Sequence, residues 1–195
     1  LFPVEQGCDG VAMTTVQAIQ VRDIDEEIGY GILLEKMRKI KTGCAYALEE
    51  PNREHAFKLL NDCVKNGYSK KFSGHKVYTR MKPSILNELN IFKKEDTRWF
   101  TSNLDKNETC LSPTDLPKIS STMLEDIKGE KAIFVEGVEY LAFQNGFEAM
   151  LRLKEYVYDH ISGSKAAIIW NYDPLAFDQK QARLFKKNSK DVHEL

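Results

Sequence analysis

This sequence has no C-x-x-C pair, no excess of charge of either sign and no long apolar run. The four cysteines, Cys8, Cys44, Cys63 and Cys110, lie far apart. A metal knuckle or redox site needs close pairs, so they read as buried, reduced thiols that pack as small hydrophobes. His55, His75, His160 and His193 do not share the spacing of ligands on one helix or loop, and no metal is expected. With 28 basic and 29 acidic residues the net charge is −1, which argues against a broad electrostatic grip on nucleic acid. Nothing approaches the roughly 18 consecutive apolar residues of a membrane span. Residues 1–10 lack a basic start and an apolar core, so a signal peptide is not expected. The first residue is Leu1, and the chain reads as a processed protein or part of a longer one.

What is present is an ordinary globular composition. Of the 195 residues 42% are hydrophobic, enough for a core that needs no disulfide or metal. Residues 11–21 are rich in β-branched types and read as a strand, followed by a helix from Asp25 with Ile28, Ile32, Leu33, Met37 and Ile40 on its apolar face. A strand over 43–48 follows, then a helix with Ala56, Leu59, Leu60, Cys63 and Val64 inside. Next come a strand over 75–79 and a helix starting at Pro83 that buries Ile85, Leu86 and Leu89. A short strand over 98–101 leads into an irregular stretch over 103–117 and a helix near 118–127. The runs 132–135 and 166–170 are continuously apolar, as strands covered on both faces are. Between them a helix is expected from Asn145 to about Ile161, with Asn145 and Glu148 at capping-box spacing. Asp178 and Gln181 repeat that spacing before a last helix, and 186–195 reads as a frayed end. Strands alternating with helices predict an α/β fold, an open three-layer sandwich around a largely parallel sheet.

Ligands of parallel sheets gather at the carboxyl ends of the strands. Three such ends matter: Glu49-Glu50, Glu136-Gly137-Val138-Glu139 and Asn171-Tyr172-Asp173. Glu136, Glu139 and Asp173 are the candidate ligand-binding residues. Glu136 ends four apolar residues, as a magnesium-organising acid does in phosphate-binding ATPases, because hard cations prefer oxygen ligands. Any buried strand ending in a polar turn gives the same pattern, and a capping or hydrogen-bonding role is the leading reading for Glu136. A phosphate loop, G-x-x-x-x-G-K-[ST], is missing. The turn after Leu48 instead reads Glu-Glu-Pro-Asn-Arg-Glu-His: two carboxylates repel phosphate and Pro51 removes a donor. Gly163-Ser164-Lys165 precedes a strand, and Gly29-Tyr30-Gly31 lies in a helical pattern, so neither replaces it. A phospho-acceptor switch would need clustered aspartates and a lysine at strand ends, which Glu136 and Asp173 do not supply. No G-x-S-x-G elbow for a serine hydrolase occurs. Lys65, Lys70, Lys71 and Lys76 read as a solvated segment. Phe72, Tyr78, Trp99, Trp170 and Tyr172 read as core or rim rather than a base-stacking platform. No catalytic residue and no cofactor is assigned.

From Gly43 to about Asn188 the order of motifs resembles the archaeal domain-of-unknown-function family 835. The features that match are Gly43-Cys44-Ala45-Tyr46 with Glu49-Glu50, Asn66-Gly67-Tyr68, Thr79-Arg80, Trp99-Phe100-Thr101 and Ser112-Pro113-Thr114-Asp115-Leu116. The most specific are Val135 to Leu141, then Asn145-Gly146-Phe147-Glu148, with Asp173-Pro174 and Phe177-Asp178 completing the set. The family pattern usually has Asp where this chain has Glu136. The resemblance implies an archaeal, cytoplasmic α/β module, often joined to sensory or regulatory domains. It also implies a distant relative of RecA/KaiC-type ATPases with a degenerate phosphate loop and no established activity. The division expected is 1–42 as an attachment or oligomerisation element, 43–188 as the family domain and 189–195 as a tail. The leading expectation is a non-catalytic interaction, signalling or scaffold module with protein partners, including further copies of itself. The alternatives are a nucleotide-responsive regulator with a nonstandard phosphate site and an accessory subunit of a larger archaeal complex.

Overall fold

The computed structural model describes residues 29–65, 71–103 and 109–195. The strand expected over 11–21 and the start of the first helix lie outside them. A helix over 29–38 (α1) leads to β1 (Cys44–Glu49) and α2 (Arg53–Lys65). Then come β2 (His75–Thr79), α3 (Pro83–Glu88), β3 (Thr97–Phe100), β4 (Cys110–Leu111) and α4 (Leu116–Lys128). The chain continues through β5 (Ala132–Val135), α5 (Val138–Asn145), α6 (Phe147–Ile161), β6 (Ala167–Tyr172), α7 (Gln179–Lys186) and β7 (Lys190–Asp191). The strands form one 7-stranded sheet in the order β4-β3-β2-β5-β6-β1-β7. Every ladder is parallel.

Side chains alternate across a strand, so each strand feeds both faces of the sheet. Ala45, Tyr78, Ile133, Val135, Ile168 and Trp170 pack under α4, α5, α6 and α7. Tyr46, Leu48, Val77, Phe134 and Ile169 pack on the opposite face with Leu33, Met37, Phe57, Leu60 and Leu86 of α1, α2 and α3. Two apolar layers sharing one sheet make the expected three-layer sandwich. Cys63 is buried in α2, and Cys44 and Cys63 are free thiols. Among the described residues no helix is long and apolar enough to cross a membrane.

Four local readings change. The helix expected from Asn145 is two helices, α5 and α6, joined at Gly146 with φ +83. Asn145 does not cap α6; its amide donates to the carbonyls of Leu141 and Pro113 at 2.8 and 2.9 Å, closing α5 onto a neighbouring loop. In α3 only Pro83 and Leu86 are buried, while Ile85 and Leu89 face solvent, because a six-residue helix is too short to bury a full stripe. The 186–195 segment is not frayed: Lys190 and Asp191 pair in parallel with Tyr46 and Ala47, and Val192 is buried. The irregular 103–117 stretch contains β4 at the opposite edge.

The start of α7 follows the sequence. Asp178 Oδ1 accepts the Gln181 N–H at 2.7 Å, and Gln181 Oε1 accepts the Asp178 N–H at 3.2 Å. This satisfies two backbone donors that a helix start leaves unpaired. Replacing Asp178 with Ala is expected to cost about 1 kcal/mol and to lower the melting temperature by roughly 2–4 °C. Thermal unfolding followed by circular dichroism measures this, and an unchanged midpoint would show the cap to be dispensable.

Candidate functional site

The strand ends of β1, β2, β5 and β6 open on one edge of the sheet. Because side chains alternate, Thr79, Glu136 and Asn171 leave the sheet on the face of Val77, Phe134 and Ile169, toward the first turn of α2. The three sequence candidates meet there: Glu136, Glu139 and Asp173 line one cleft of about 770 Å³ with Glu50, Arg53 and Asn171. An adjoining cleft of about 750 Å³ shares Arg53 and Glu139 and is walled by Arg80, Tyr140, Phe143 and Phe177.

Glu136 is buried, and both its oxygens are engaged. Oε1 accepts the Arg53 Nε–H at 2.8 Å. Oε2 accepts the Thr79 hydroxyl at 2.5 Å and the Arg80 N–H at 3.3 Å. Thr79 is fully buried and its own oxygen accepts the Met81 N–H at 2.9 Å, which fixes the hydroxyl's direction. The carboxylate therefore ties the loops after β1, β2 and β5 together.

Gly137 follows with φ +92, a left-handed conformation that turns the chain from β5 into α5. A Cβ there would stand 3.1 Å from Cγ of Arg80, so the missing side chain also leaves room for that arginine. The Arg80 guanidinium lies 3.8 Å from the Tyr140 ring centroid, a cation–π stack. Phe143 and Leu175, 84% and 91% exposed, stand as large apolar side chains in this region of the fold.

Glu139, in the first turn of α5, accepts the Asp173 N–H on Oε1 at 2.6 Å. Burial raises its pKa above the ordinary carboxylate value, and the charges of Glu136 and Asp173 add to the rise. Asp173 Oδ1 accepts the Leu175 N–H at 2.9 Å and caps a 3-10 turn over 174–176. Asn171 is 5% exposed and donates its amide N–H to the Glu50 carbonyl at 3.1 Å. Its Oδ1 accepts no hydrogen bond among the described residues.

Among the described residues no three His, Cys, Asp or Glu side chains converge as a metal site would require. Glu49 stands apart from the cleft: it accepts the Tyr172 hydroxyl at 2.6 Å and pairs with Lys186, fastening α7 to the sheet. Tyr78 and Tyr172 are core, and Trp99 donates to the Arg80 carbonyl at 3.0 Å. The lysine segment is used structurally in part, since Lys76 pairs with Asp96 at 2.9 Å.

Sequence reasoning located the acids but missed Arg53 and Thr79. Thr79 closes β2 and Arg53 opens α2, at the same edge of the sheet where the acids lie. Thr79 enters the sequence reading only as part of the Thr79-Arg80 strand end and Arg53 only within the turn after Leu48, and each meets Glu136 through the fold.

Residues 51–188 match the family described as "Protein of unknown function (DUF835)", and the chain belongs to that family. No curated protein matches it.

Proposed function

We propose that this domain is a non-catalytic protein-interaction module, acting in signalling or scaffolding, and that it uses a RecA/KaiC-like sheet whose phosphate site has been rebuilt. The observation that carries this reading is the saturation of Glu136. An acid that organises magnesium needs open oxygen lone pairs, whereas this one holds Arg53, Thr79 and the Arg80 backbone. The β1–α2 turn supports the same view. Glu50 accepts the Asn52 N–H at 2.9 Å, and the Asn52 side chain accepts the Glu54 N–H at 3.0 Å. Donors that would wrap a phosphate are thus closed by the protein's own oxygens.

The exposed Phe143 and Leu175 and the Arg80–Tyr140 stack give the C-terminal edge the mixed apolar and arginine character of protein-binding surfaces. We place the module in the cytoplasm of an archaeal cell, as part of a regulatory protein or complex. Calorimetric titration with ATP and with GTP, each with and without Mg²⁺, is expected to give no saturable heat. Tight Mg²⁺-dependent binding would overturn the reading and favour a nucleotide-responsive regulator.

A further inference from the structure

Beside the acidic cleft, the adjoining one of about 750 Å³ joins an aromatic wall to two arginines. Phe147 and Phe177 meet edge to face at 5.3 Å, and Phe177 lies 6.0 Å from the fully buried Phe185. The wall is anchored in the core and needs little ordering before a ligand arrives. Phe143 stands on the same cleft from α5 and is 84% exposed, leaving apolar area in water that a ligand ring would cover. Three charged residues line the cleft, Arg53, Arg80 and Glu139. Arg53 is held by Glu136, and Glu139 accepts the Asp173 N–H. The Arg80 guanidinium pairs with no carboxylate among the described residues; its carbon stands 3.8 Å from the Tyr140 ring centroid. A guanidinium resting on a ring by its face keeps its N–H donors in plane, so the stack orients the fork without using it. Gly137, where a Cβ would come within 3.1 Å of Arg80 Cγ, leaves room for that placement.

From this juxtaposition of an oriented, unpaired cation and uncovered aromatic surface we propose that the cleft receives a segment of a partner protein in which an aromatic side chain adjoins a glutamate or aspartate. The carboxylate pairs with Arg80, whose parallel N–H donors match its two oxygens. The ring packs on Phe143 and Phe147, in the mixture of aromatic and arginine contacts that dominates binding energy at protein interfaces. Charge selects a carboxylate over a phosphate. One unpaired guanidinium, with Glu139 in the same wall, matches a single negative charge, whereas a phosphate brings about two. The inference rests on the interaction-module reading and names the partner's chemistry.

The test is a titration of the full chain with blocked peptides, followed through the backbone amide signals of Arg80, Tyr140, Phe143 and Phe177. The first peptide is Gly-Phe-Glu-Phe-Glu-Gly; the second carries Gln for Glu, and the third Ala for Phe. Saturable shifts at these residues are expected with the first. The Gln peptide is expected to bind about fivefold more weakly, having lost the charge-assisted bonds. The Ala peptide loses its ring burial and is expected to bind at least about tenfold more weakly. Phe143→Ser removes an exposed ring and Arg80→Met keeps an apolar stem, so the fold is retained in both. Phe143→Ser is expected to weaken the first peptide about fivefold. Arg80→Met is expected to bind the Glu and Gln peptides equally, because the fork that distinguished them is gone. Equal binding of those two peptides by the unaltered chain, undiminished affinity in both variants, or no saturation would overturn the proposal. So would a dimer seen by light scattering that Phe143→Ser dissolves, which gives the surface to a second copy of the chain. The nucleotide titration separates the two failures: absent peptide binding with absent Mg²⁺–ATP binding removes only this inference, whereas Mg²⁺–ATP bound at this edge removes the reading beneath it.

Discussion

Replacing Lys154 with Met is expected to raise the melting temperature at pH 7, with the gain vanishing in alkaline solution. Lys154 lies in α6, 1% exposed, and donates from Nζ to the Lys187 carbonyl at 3.0 Å beside the Phe185 ring. Burial pushes its pKa down to about 8, against which Glu155 acts weakly. A lysine whose folded pKa is depressed destabilises the fold wherever both states are charged, that is, below pH 8. The cost is relieved as pH rises from 8 toward the unfolded value near 10.5 and is absent above it. That shift corresponds to about 3 kcal/mol, and losing the hydrogen bond to Lys187 returns about 1 kcal/mol. The net gain at pH 7 is then about 2 kcal/mol, or roughly 4–8 °C. Cys63, whose thiol burial pushes up to about 12, works in the opposite direction above pH 9. It is common to both proteins and cancels in their difference. Thermal midpoints of the two proteins from pH 6 to 11 measure the effect, and a constant difference would show that Lys154 is not the titrating group.

Removing the Glu136 carboxylate is expected to have an effect of similar size and opposite sign. In Glu136→Ala the fully buried Thr79 hydroxyl loses its acceptor, and Arg53 loses its partner. Unpaired buried donors cost about 1–3 kcal/mol. The Arg53 side chain is 45% exposed and water can reach it, so it contributes little more. A total near 2–3 kcal/mol, a fall of roughly 4–12 °C, is expected. Glu136→Gln keeps an oxygen for Thr79 and should lose about half as much. A carboxylate held for a metal behaves differently: it strains the empty fold, and its removal stabilises. Differential scanning calorimetry of the three proteins therefore separates a fastener from a ligand, and a raised midpoint in Glu136→Ala would argue for the ligand.

The sequence was most informative where burial or backbone chemistry leaves a local mark. β5 and β6 are buried on both faces, and their continuous apolar runs announce them. Asp178 and Gln181 predicted the start of α7 because a cap is written within four residues. The two-residue strands β4 and β7 are too short for any period to show, and their pairing depends on backbone alone. The break between α5 and α6 was missed because Gly146 carries a conformation, not a pattern. The candidate site divides the same way. Parallel-sheet geometry placed Glu136, Glu139 and Asp173 at one edge. Their partners Arg53 and Thr79 lie far from Glu136 along the chain, where spacing says nothing. The sign of the cleft was partly legible in Glu49-Glu50, although only Glu50 faces it; Glu49 turns to Tyr172 and Lys186.

The position of β1 has a consequence for how the protein is made. Its neighbours, β6 and β7, are the last two strands of the chain. On the ribosome β1 emerges well before either neighbour and waits for residues 167–172 on one edge and 190–191 on the other. Non-local pairing of this kind is slow, and exposed apolar strands invite association between nascent chains. Closure of the sheet around β1 thus waits on segments made more than a hundred residues later, and Tyr46 to Leu48 stay open to association during that wait.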